Sequence, residues 1–397
     1  MILEIIIAVI IGIIFGCISG LTPGIHVNLL STFLLALSPF LLQFTSPLIL
    51  CCIIIVMAVT HTFLNSLPAI YLGAPDDSTI LNVLPGHKYL LKGRAYEAVK
   101  LTVSGALFAL IFAILLSPLL IKIIPIIYER IKEFIGYILL VACLFLIIRE
   151  KKKFWALILF IIAGIFGLAV LNLNLKNPLF PLLTSMFGIA GLIISLKDKV
   201  QIPEQIITSP KIFTKETLKA ISSGALVGTF TSMLPGIGPS ESAIISSQLT
   251  KLKDSGFLTL VGSLDTLNMI ISFITLFSIN KARNGAVVII SRLLETITLQ
   301  NLILFLALTL ISGIIAIFIT LKLAKVFSSL ITKINYQKLC ICIIILLIVI
   351  TIWLSSWLGL LILVIGSFIG MLPPLLGIGR NHLMGCLLLP VILFFLL

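Results

Sequence analysis

The chain has 397 residues, of which 60% are apolar and 10% charged, with 27 Lys and Arg against 14 Asp and Glu. Soluble domains are about half apolar and about one-quarter charged, so a water-soluble globule of this size could not hide so much apolar surface. Uncharged runs such as Phe154–Leu175 and Leu302–Leu321 match the roughly 20 residues that cross a bilayer. The composition predicts a polytopic, all-α membrane protein and excludes soluble enzymes, nucleic-acid binders and secreted disulfide scaffolds.

Fourteen apolar segments follow one another, seven on each side of a polar connector. The first seven cover residues 2–20, 29–45, 47–70, 100–127, 134–149, 154–174 and 179–196. The second seven cover residues 217–234, 239–250, 256–279, 300–326, 338–357, 358–376 and 382–397. We therefore divide the chain into a first membrane repeat (1–197), a cytoplasmic connector (198–216) and a second membrane repeat (217–397). The first segment lacks a basic leading region, so we expect a retained span rather than a signal peptide.

The distribution of Lys and Arg predicts the orientation. If the N-terminus lies outside and every segment reverses direction, 20 of the 27 basic residues fall on the inner side and 7 on the outer side. The inner set includes Lys88, Arg149, Lys152, Lys333 and Arg380, and the outer set includes Lys132. Basic residues concentrate in cytoplasmic loops of membrane proteins. We therefore expect a multi-pass protein of the cell membrane with its N-terminus outside.

An internal repeat connects the two sets of segments. At an offset of 212 residues, Gly12 and Gly16 match Gly224 and Gly228, and the run Pro-Gly-Ile at 23–25 recurs at 235–237. At an offset of 200, Asn-Ser-Leu at 65–67 lies opposite Asp-Thr-Leu at 265–267. Because seven segments is an odd number, the second copy would enter the membrane inverted. Inverted repeats are typical of secondary transporters that hold their substrate at the repeat interface.

Both repeats carry a Pro-Gly motif that interrupts a helix, at Pro23-Gly24 and at Pro235-Gly236. Irregular backbone at membrane depth is tolerated only where protein or a water-filled cavity satisfies it. Residues that start helices follow each motif, namely Asn28 in the first repeat and Pro239 with Ser240 in the second. Paired re-entrant or broken helices would aim free N–H groups at an anion. The alternative is that Pro-Gly makes a tight surface loop between two spans.

Polar residues near these motifs and inside apolar segments are the candidate site residues. For substrate binding, they are Thr22, Pro23, Gly24, His26, Asn28, Asn65, Ser66, Pro235, Gly236, Gly238, Ser240 and Ser242. For ion coupling, they are Glu241, Asp265, Thr266 and Asn268. A carboxylate within a membrane segment usually faces a bundle interior or an ion path. Asp265 could hold Na⁺ or carry a proton, and its alternative interpretation is a charge close to the membrane edge. His26 and His61 could shuttle protons or be satisfied by polar neighbours.

The remaining chemistry-bearing residues predict neither an enzyme nor a resident cofactor. All seven cysteines have apolar neighbours, and Cys340 and Cys342 have no second pair or histidine nearby to complete a metal site. The sequence has no nucleophile elbow, phosphate loop or paired carboxylates. We expect no cofactor and no metal site, only a coupling Na⁺ or H⁺.

At these motifs the sequence resembles the tripartite tricarboxylate transporter large permease (TctA) family, especially its shorter archaeal-type branch. The matching runs are GLTPGIH (20–26), LPAIYLGAPDD (67–77), LPGHKYLLKGRAYEAV (84–99), FPLLTSMFG (180–188), LPGIGPSES (234–242), NKARNGA (280–286) and GMLPPLLGIGRNHLMGCLLLP (370–390). The resemblance implies a duplicated, inverted permease for carboxylate anions whose Pro-Gly loops line the substrate path. It also implies two partners, a periplasmic solute-binding protein and a small membrane subunit.

The sequence therefore predicts a secondary active transporter for small organic anions, namely di- or tricarboxylates, driven by an ion gradient. The alternative is a lipid-carrier translocase of the polyprenyl-phosphate type, since such flippases also look like duplicated proteins with intramembrane Pro-Gly loops. We expect the lipid bilayer and a small anionic substrate as partners, no nucleic acid, and leave a homodimer open.

Overall fold

The computed structural model describes residues 2–22, 25–73, 79, 81, 83–175, 177–197, 202–234, 238–333 and 336–397, without the side chains of Leu29, Leu84, Ser195, Glu241, Gln248 and Tyr336. All regular secondary structure in these ranges is helical. The prediction of an all-α protein is confirmed.

The described part of the chain contains sixteen α-helices. In the first half they are α1 (Ile2–Leu21), α2 (Val27–Leu41), α3 (Pro47–Leu64), α4 (Val83–Leu91), α5 (Ala95–Ile131), α6 (Ile135–Arg149), α7 (Lys153–Leu171), α8 (Leu179–Leu183) and α9 (Ala190–Lys197). In the second half they are α10 (Lys215–Thr231), α11 (Pro239–Leu249), α12 (Asp254–Ile279), α13 (Gly285–Leu293), α14 (Leu299–Ile331), α15 (Tyr336–Leu376) and α16 (Gly385–Leu396).

Seven helical stretches of the described chain are long and apolar enough to cross a membrane, which confirms a polytopic membrane protein. Two of them each contain two predicted segments. The stretch Ala95–Arg149 joins α5 to α6 through a single 3₁₀ turn at Lys132–Phe134. The stretch Gln337–Leu376 lies within α15, whose helical geometry is interrupted at Ser356, with φ 55° and ψ −165°. This break falls where the sequence separates segments 338–357 and 358–376.

The helices α3 and α12 form the centre of the molecule. Every residue of α3 from Ile49 onward is buried, and α12 is buried over most of its length. Around them, α1 and α14 pack along α3, while α10 and α5 pack along α12. A second cluster of apolar side chains joins α6, α7 and α16.

Glycines allow the closest of these crossings. A Cβ added at Gly105 of α5 would collide with the carbonyl group of Thr259 in α12, and one added at Gly262 of α12 would collide with the carbonyl group of Thr102 in α5. The two backbones are therefore in direct contact. Small residues serve the same purpose in other membrane helix pairs, where close approach maximises dispersion contacts.

The two halves present their helices in the same order, and their mutual packing is reciprocal. The pairs α1–α3 and α10–α12 correspond, as do α5–α12 and α14–α3. The matched glycines occupy matched crossings, since Gly16 packs against Thr60 of α3 and Gly228 packs against Leu264 of α12. The inverted orientation of the halves stays a prediction.

The predicted connector, in its described part, is bound to the first half. The N–H of Ile206 donates to the Gly93 carbonyl at 2.7 Å, and the amide of Gln205 donates to the Leu90 carbonyl at 2.9 Å. Lys100 of α5 also donates to the Ser209 hydroxyl at 2.8 Å. The segment therefore lies along the corner between α4 and α5.

The predicted topology can be tested by cysteine labelling. Lys152 and Lys333 are exposed and lie in the loops after α6 and α14, both predicted to be cytoplasmic. In a variant without native cysteines, we expect Lys152→Cys and Lys333→Cys to react with an impermeant maleimide only after the membrane is permeabilised. Lys132→Cys, on the predicted outer side, should react in intact cells. Labelling of Lys152→Cys and Lys333→Cys from opposite sides would contradict the inverted repeat.

Candidate functional site

The two Pro-Gly motifs lie outside the described residues, so Pro23, Gly24, Pro235 and Gly236 keep their status as predictions. The helices on either side are described. The first motif separates α1, which ends at Leu21, from α2, and the second separates α10, which ends at Thr231, from α11. Since α11 has 11 residues, it is about 16 Å long and too short to span the hydrocarbon. The predicted helix starts after both motifs are confirmed.

The start of α2 differs in detail from the prediction. The helix begins at Val27, one residue before Asn28, and its N-cap is His26, whose Nδ1 accepts the Asn28 N–H at 3.1 Å. The imidazole rings of His26 and His61 lie 5.1 Å apart, centroid to centroid, and are T-shaped. Nδ1 of His61 lies 3.0 Å from the Ser19 hydroxyl. The structure thus brings the two histidines together beside the first break, and Thr22 lies at the end of α1 just before it.

Asn28 acts as a connection between the two halves rather than as a cap of its own helix. Its side-chain oxygen accepts the N–H of Ala286 at 3.0 Å, in the first turn of α13. The N-cap of α13 is Asn284, whose side chain accepts the Val287 N–H at 2.9 Å. A Cβ at Gly285 would lie 2.6 Å from Cγ of Asn28, so glycine is needed for this approach. Helix propensities alone did not predict this contact, because it joins residues 258 positions apart.

At the second break, Ser242 connects α11 to the preceding helix. Its hydroxyl lies 2.6 Å from the Thr231 hydroxyl and donates to the Gly238 carbonyl at 2.8 Å. Ser240 is buried in the same turn of α11. The side chain of Glu241, predicted to take part in ion coupling, lies outside the described residues.

The most polar buried contact joins the two central helices. The side-chain amide of Asn65, at the end of α3, donates to Oδ2 of Asp265 in α12 at 2.7 Å, and Asp265 is only 7% exposed. Beside it, the Thr266 hydroxyl donates to the Thr62 hydroxyl at 3.2 Å. Asn65 and Asp265 are the residues that the repeat matched to each other. Direct contact between matched positions is what an axis relating two halves would produce.

A cavity of about 10 Å³ adjoins this contact. It has room for about one water molecule, or for a bare ion of similar size. Oxygen-bearing side chains line it, together with apolar ones and Gly262. The oxygen-bearing residues are Thr62, Asn65, Ser66, Thr79, Thr102 and Asp265.

One carboxylate with neutral hydroxyl and amide oxygens is a donor set suited to a hard cation. In the part of the chain that the structure describes, no group of three or more His, Cys, Asp and Glu side chains could hold a metal ion. Asn268, half-buried one turn further along α12, is absent from the described lining of this cavity. Asp265 and Ser66 line the cavity and Asn268 does not, so the predicted role of Asn268 in ion coupling stays a prediction without a contact to this site.

The sequence did not single out Thr62, Thr79 and Thr102. A threonine in an apolar helix commonly donates to its own backbone, as Thr62 and Thr102 do toward the carbonyls of Val59 and Val99. Only the crossing of α5 and α12 brings Thr102 to the cavity. A lone threonine therefore carries no sequence signal for this site.

Separate helices on either side of both Pro-Gly motifs and a buried, oxygen-lined cavity between the two halves form an arrangement that is typical of membrane transporters. The chain belongs to the tripartite tricarboxylate transporter TctA family, which it matches over residues 6–385. The predicted resemblance is confirmed, and with it the assignment to a transporter family. The chain is also similar to an uncharacterized protein of Methanocaldococcus jannaschii, at 33% identity over 386 residues that cover 94% of each chain. No solved structure matches it.

The contact between Asn28 and α13 gives a prediction for stability. In Asn28→Ala the N–H of Ala286 loses its acceptor, so we expect a loss of about 1–3 kcal/mol and a lower melting temperature of the purified protein. Asn28→Asp keeps the acceptor and places a negative charge at a helix N-terminus, where it is favourable, so it should be at least as stable as the wild type.

Thr32→Ala is the matched control, because exposed Thr32 bonds only within α2, to the Asn28 carbonyl at 2.8 Å. Equal melting temperatures for Asn28→Ala and Thr32→Ala would show that the contact contributes nothing to joining the halves.

Proposed function

We propose that this chain is the permease of a secondary transporter that moves small organic anions, with di- and tricarboxylates as the substrate class, and that an ion gradient drives it. The family description names tricarboxylates, which supports the substrate class. The description as tripartite supports two further proteins, a solute-binding protein and a small membrane subunit, as partners.

The observation that carries the coupling mechanism is the buried contact between Asn65 and Asp265 next to a cavity of atomic size. Burying an ionised carboxylate is costly unless it is paired or hydrogen-bonded. A cation bound at the cavity, or a proton on Asp265, would lower that cost. Because α3 and α12 both contribute to the site, its occupation would favour the conformation that holds these helices together.

The substrate would bind near the two interrupted helices. In this proposal the first turns of α2 and α11 face the anion, with Thr22, His26 and Asn28 on one side and Gly238, Ser240 and Ser242 on the other. The N–H of Asn28 already bonds to His26, so the remaining donors of that turn would have to serve the ligand. Pro23, Gly24, Pro235 and Gly236 would shape the approach, and Glu241, Thr266 and Asn268 would support the coupling ion.

Transport in proteoliposomes tests the coupling role of Asp265. We expect the wild type to accumulate a labelled di- or tricarboxylate when either a Na⁺ or a proton gradient is imposed, and the effective gradient identifies the ion. Asp265→Asn keeps the shape of the side chain but removes its charge, so this variant should lose gradient-driven accumulation. Its hydrogen bond to Asn65 can be kept, because the new amide still has an oxygen acceptor.

Ser272→Ala is the control on the same helix, since buried Ser272 donates only to the Asn268 carbonyl at 2.7 Å. It should accumulate substrate as the wild type does. Gradient-driven uptake at the wild-type level in Asp265→Asn would rule out Asp265 as the coupling site. Failure of the wild type to transport any di- or tricarboxylate when the solute-binding protein and the small membrane subunit are also present would contradict the substrate class.

A further inference from the structure

A second, much larger cavity lies between the two halves, away from Asp265. Its volume is about 500 Å³, within the range of sites that bind small molecules. The first half contributes α4 and the end of α6, and the second half contributes α11, the start of α12 and the turn before α16. Its polar lining residues are Lys88, Arg149, Glu150, Ser247, Asp254, Arg380 and Asn381.

The two carboxylates of this cavity already have partners. Asp254 pairs with Lys88 at 3.3 Å. Glu150 accepts from the Lys151 and Gly379 N–H groups at 3.1 and 3.3 Å and lies 3.2 Å from Nε2 of His382. Burial alone would raise the pKa of Glu150, but these hydrogen bonds lower it below its usual value. Glu150 is therefore ionised at neutral pH, and its carboxylate is already bonded to His382 and to two backbone N–H groups.

Arg380 differs from these groups. Its guanidinium is half-buried against α9, where a Cβ added at Gly191 would lie 3.4 Å from Nη1. Among the carboxylates whose side chains the structure describes, none forms an ion pair with it. Burial, together with the positive charge of Arg380, lowers the pKa of His87 in α4 to about 4. A guanidinium in this position has donors suited to two oxygens of one carboxylate or phosphate.

The cavity shares one helix, α11, with the proposed substrate path. Ile244 and Ser247, one turn apart on α11, line it. The same helix begins at Pro239, directly after the second Pro-Gly motif, so Ser247 lies about 12 Å along the helix from its start. Lys88, Arg149 and Arg380 all belong to the predicted cytoplasmic set. A cleft lined by excess positive charge raises the local concentration of anions.

From the cavity, its position and the charge of Arg380, we propose that this space is a cytoplasmic vestibule in which Arg380 binds an anionic group of the cargo as it enters or leaves the translocation path. The inference rests on the proposed anion transport. The shared chemistry is a carboxylate or phosphate group carrying oxygens for a guanidinium. Its source is either a soluble carboxylate or the phosphate head of a lipid carrier.

Site-specific protection from labelling tests the vestibule. Ser247→Cys is made in a full-length variant without the seven native cysteines, and its reaction with a charged thiol reagent is followed in detergent. Citrate represents the soluble carboxylates and farnesyl phosphate represents the lipid carriers. We expect one of them to slow labelling in a saturable manner. When Arg380→Gln is added, the concentration needed for protection should rise about tenfold or more, as for a lost charge-assisted hydrogen bond.

Three control variants test whether protection from labelling depends on Arg380 and on the position of the labelled cysteine. Lys92→Gln removes an exposed positive charge from α4's end, outside the described cavity lining, and should leave protection unchanged. Ser222→Cys, exposed on α10, should label at a rate that neither probe alters. Arg380→Lys keeps the charge without the planar fork and should give intermediate protection. It replaces Arg380→Gln as the test variant if Arg380→Gln folds poorly.

The outcomes separate this inference from the proposed function. Protection by citrate that depends on Arg380 supports both. Protection by farnesyl phosphate alone supports the vestibule but contradicts a soluble carboxylate as cargo. If citrate is transported with a gradient yet neither probe protects Ser247→Cys, or if protection is equal in Arg380→Gln and the wild type, the vestibule is wrong and the transport function stands.

Discussion

The direct contact between the backbones of α5 and α12 determines the geometry of the centre of this protein. At Gly105 and Gly262 each helix leaves no room for a side chain on the other. The crossing fixes α12 against the first half and places Thr102 beside Asp265. A wider spacing would open the centre to more than one water molecule. The small volume next to Asp265 is therefore a consequence of glycine at two positions in different halves of the chain.

The molecule has two polar cavities that differ in size and charge. The centre holds one buried carboxylate among neutral oxygens in a space for a single small ion. The vestibule is about 500 Å³ in volume and lined by three cationic side chains and two engaged carboxylates. A small, rigid site discriminates by size and charge, whereas a wide basic cavity attracts many anions with little selectivity. In the proposed transporter, cation and anion therefore bind in separate places that share α12 as the connecting element.

Much of the architecture could be predicted because hydrophobic length is a strong signal in membrane proteins. The segment boundary near Ser356 and the helix starts after both Pro-Gly motifs have local sequence patterns, and the repeat relates Asn65 to Asp265 as equivalent positions. The repeat was especially informative, since it matched two residues that turned out to contact each other.

The contacts that the sequence could not predict depend on tertiary packing. Asn28 was expected to start α2, yet it binds the first turn of α13, 258 residues later in the chain. Arg380 was counted only as one basic residue among those on the cytoplasmic side. Its proposed role depends on the two carboxylates that line the vestibule, Glu150 and Asp254, being bound to other partners, and a pattern of residue types along one chain does not show which charges are already paired.

The reciprocal packing of the halves also determines the order in which the protein can mature. Asn65 is synthesised 200 residues before Asp265, an interval of roughly 10–40 s at typical rates of translation. Throughout that time α3 has been made while α14, which packs along it, has not. The polar end of α3, at Asn65, must then rest against lipid, the insertion machinery or temporary neighbours from the first half. Assembly is completed only when the last-made helices close around the first-made ones.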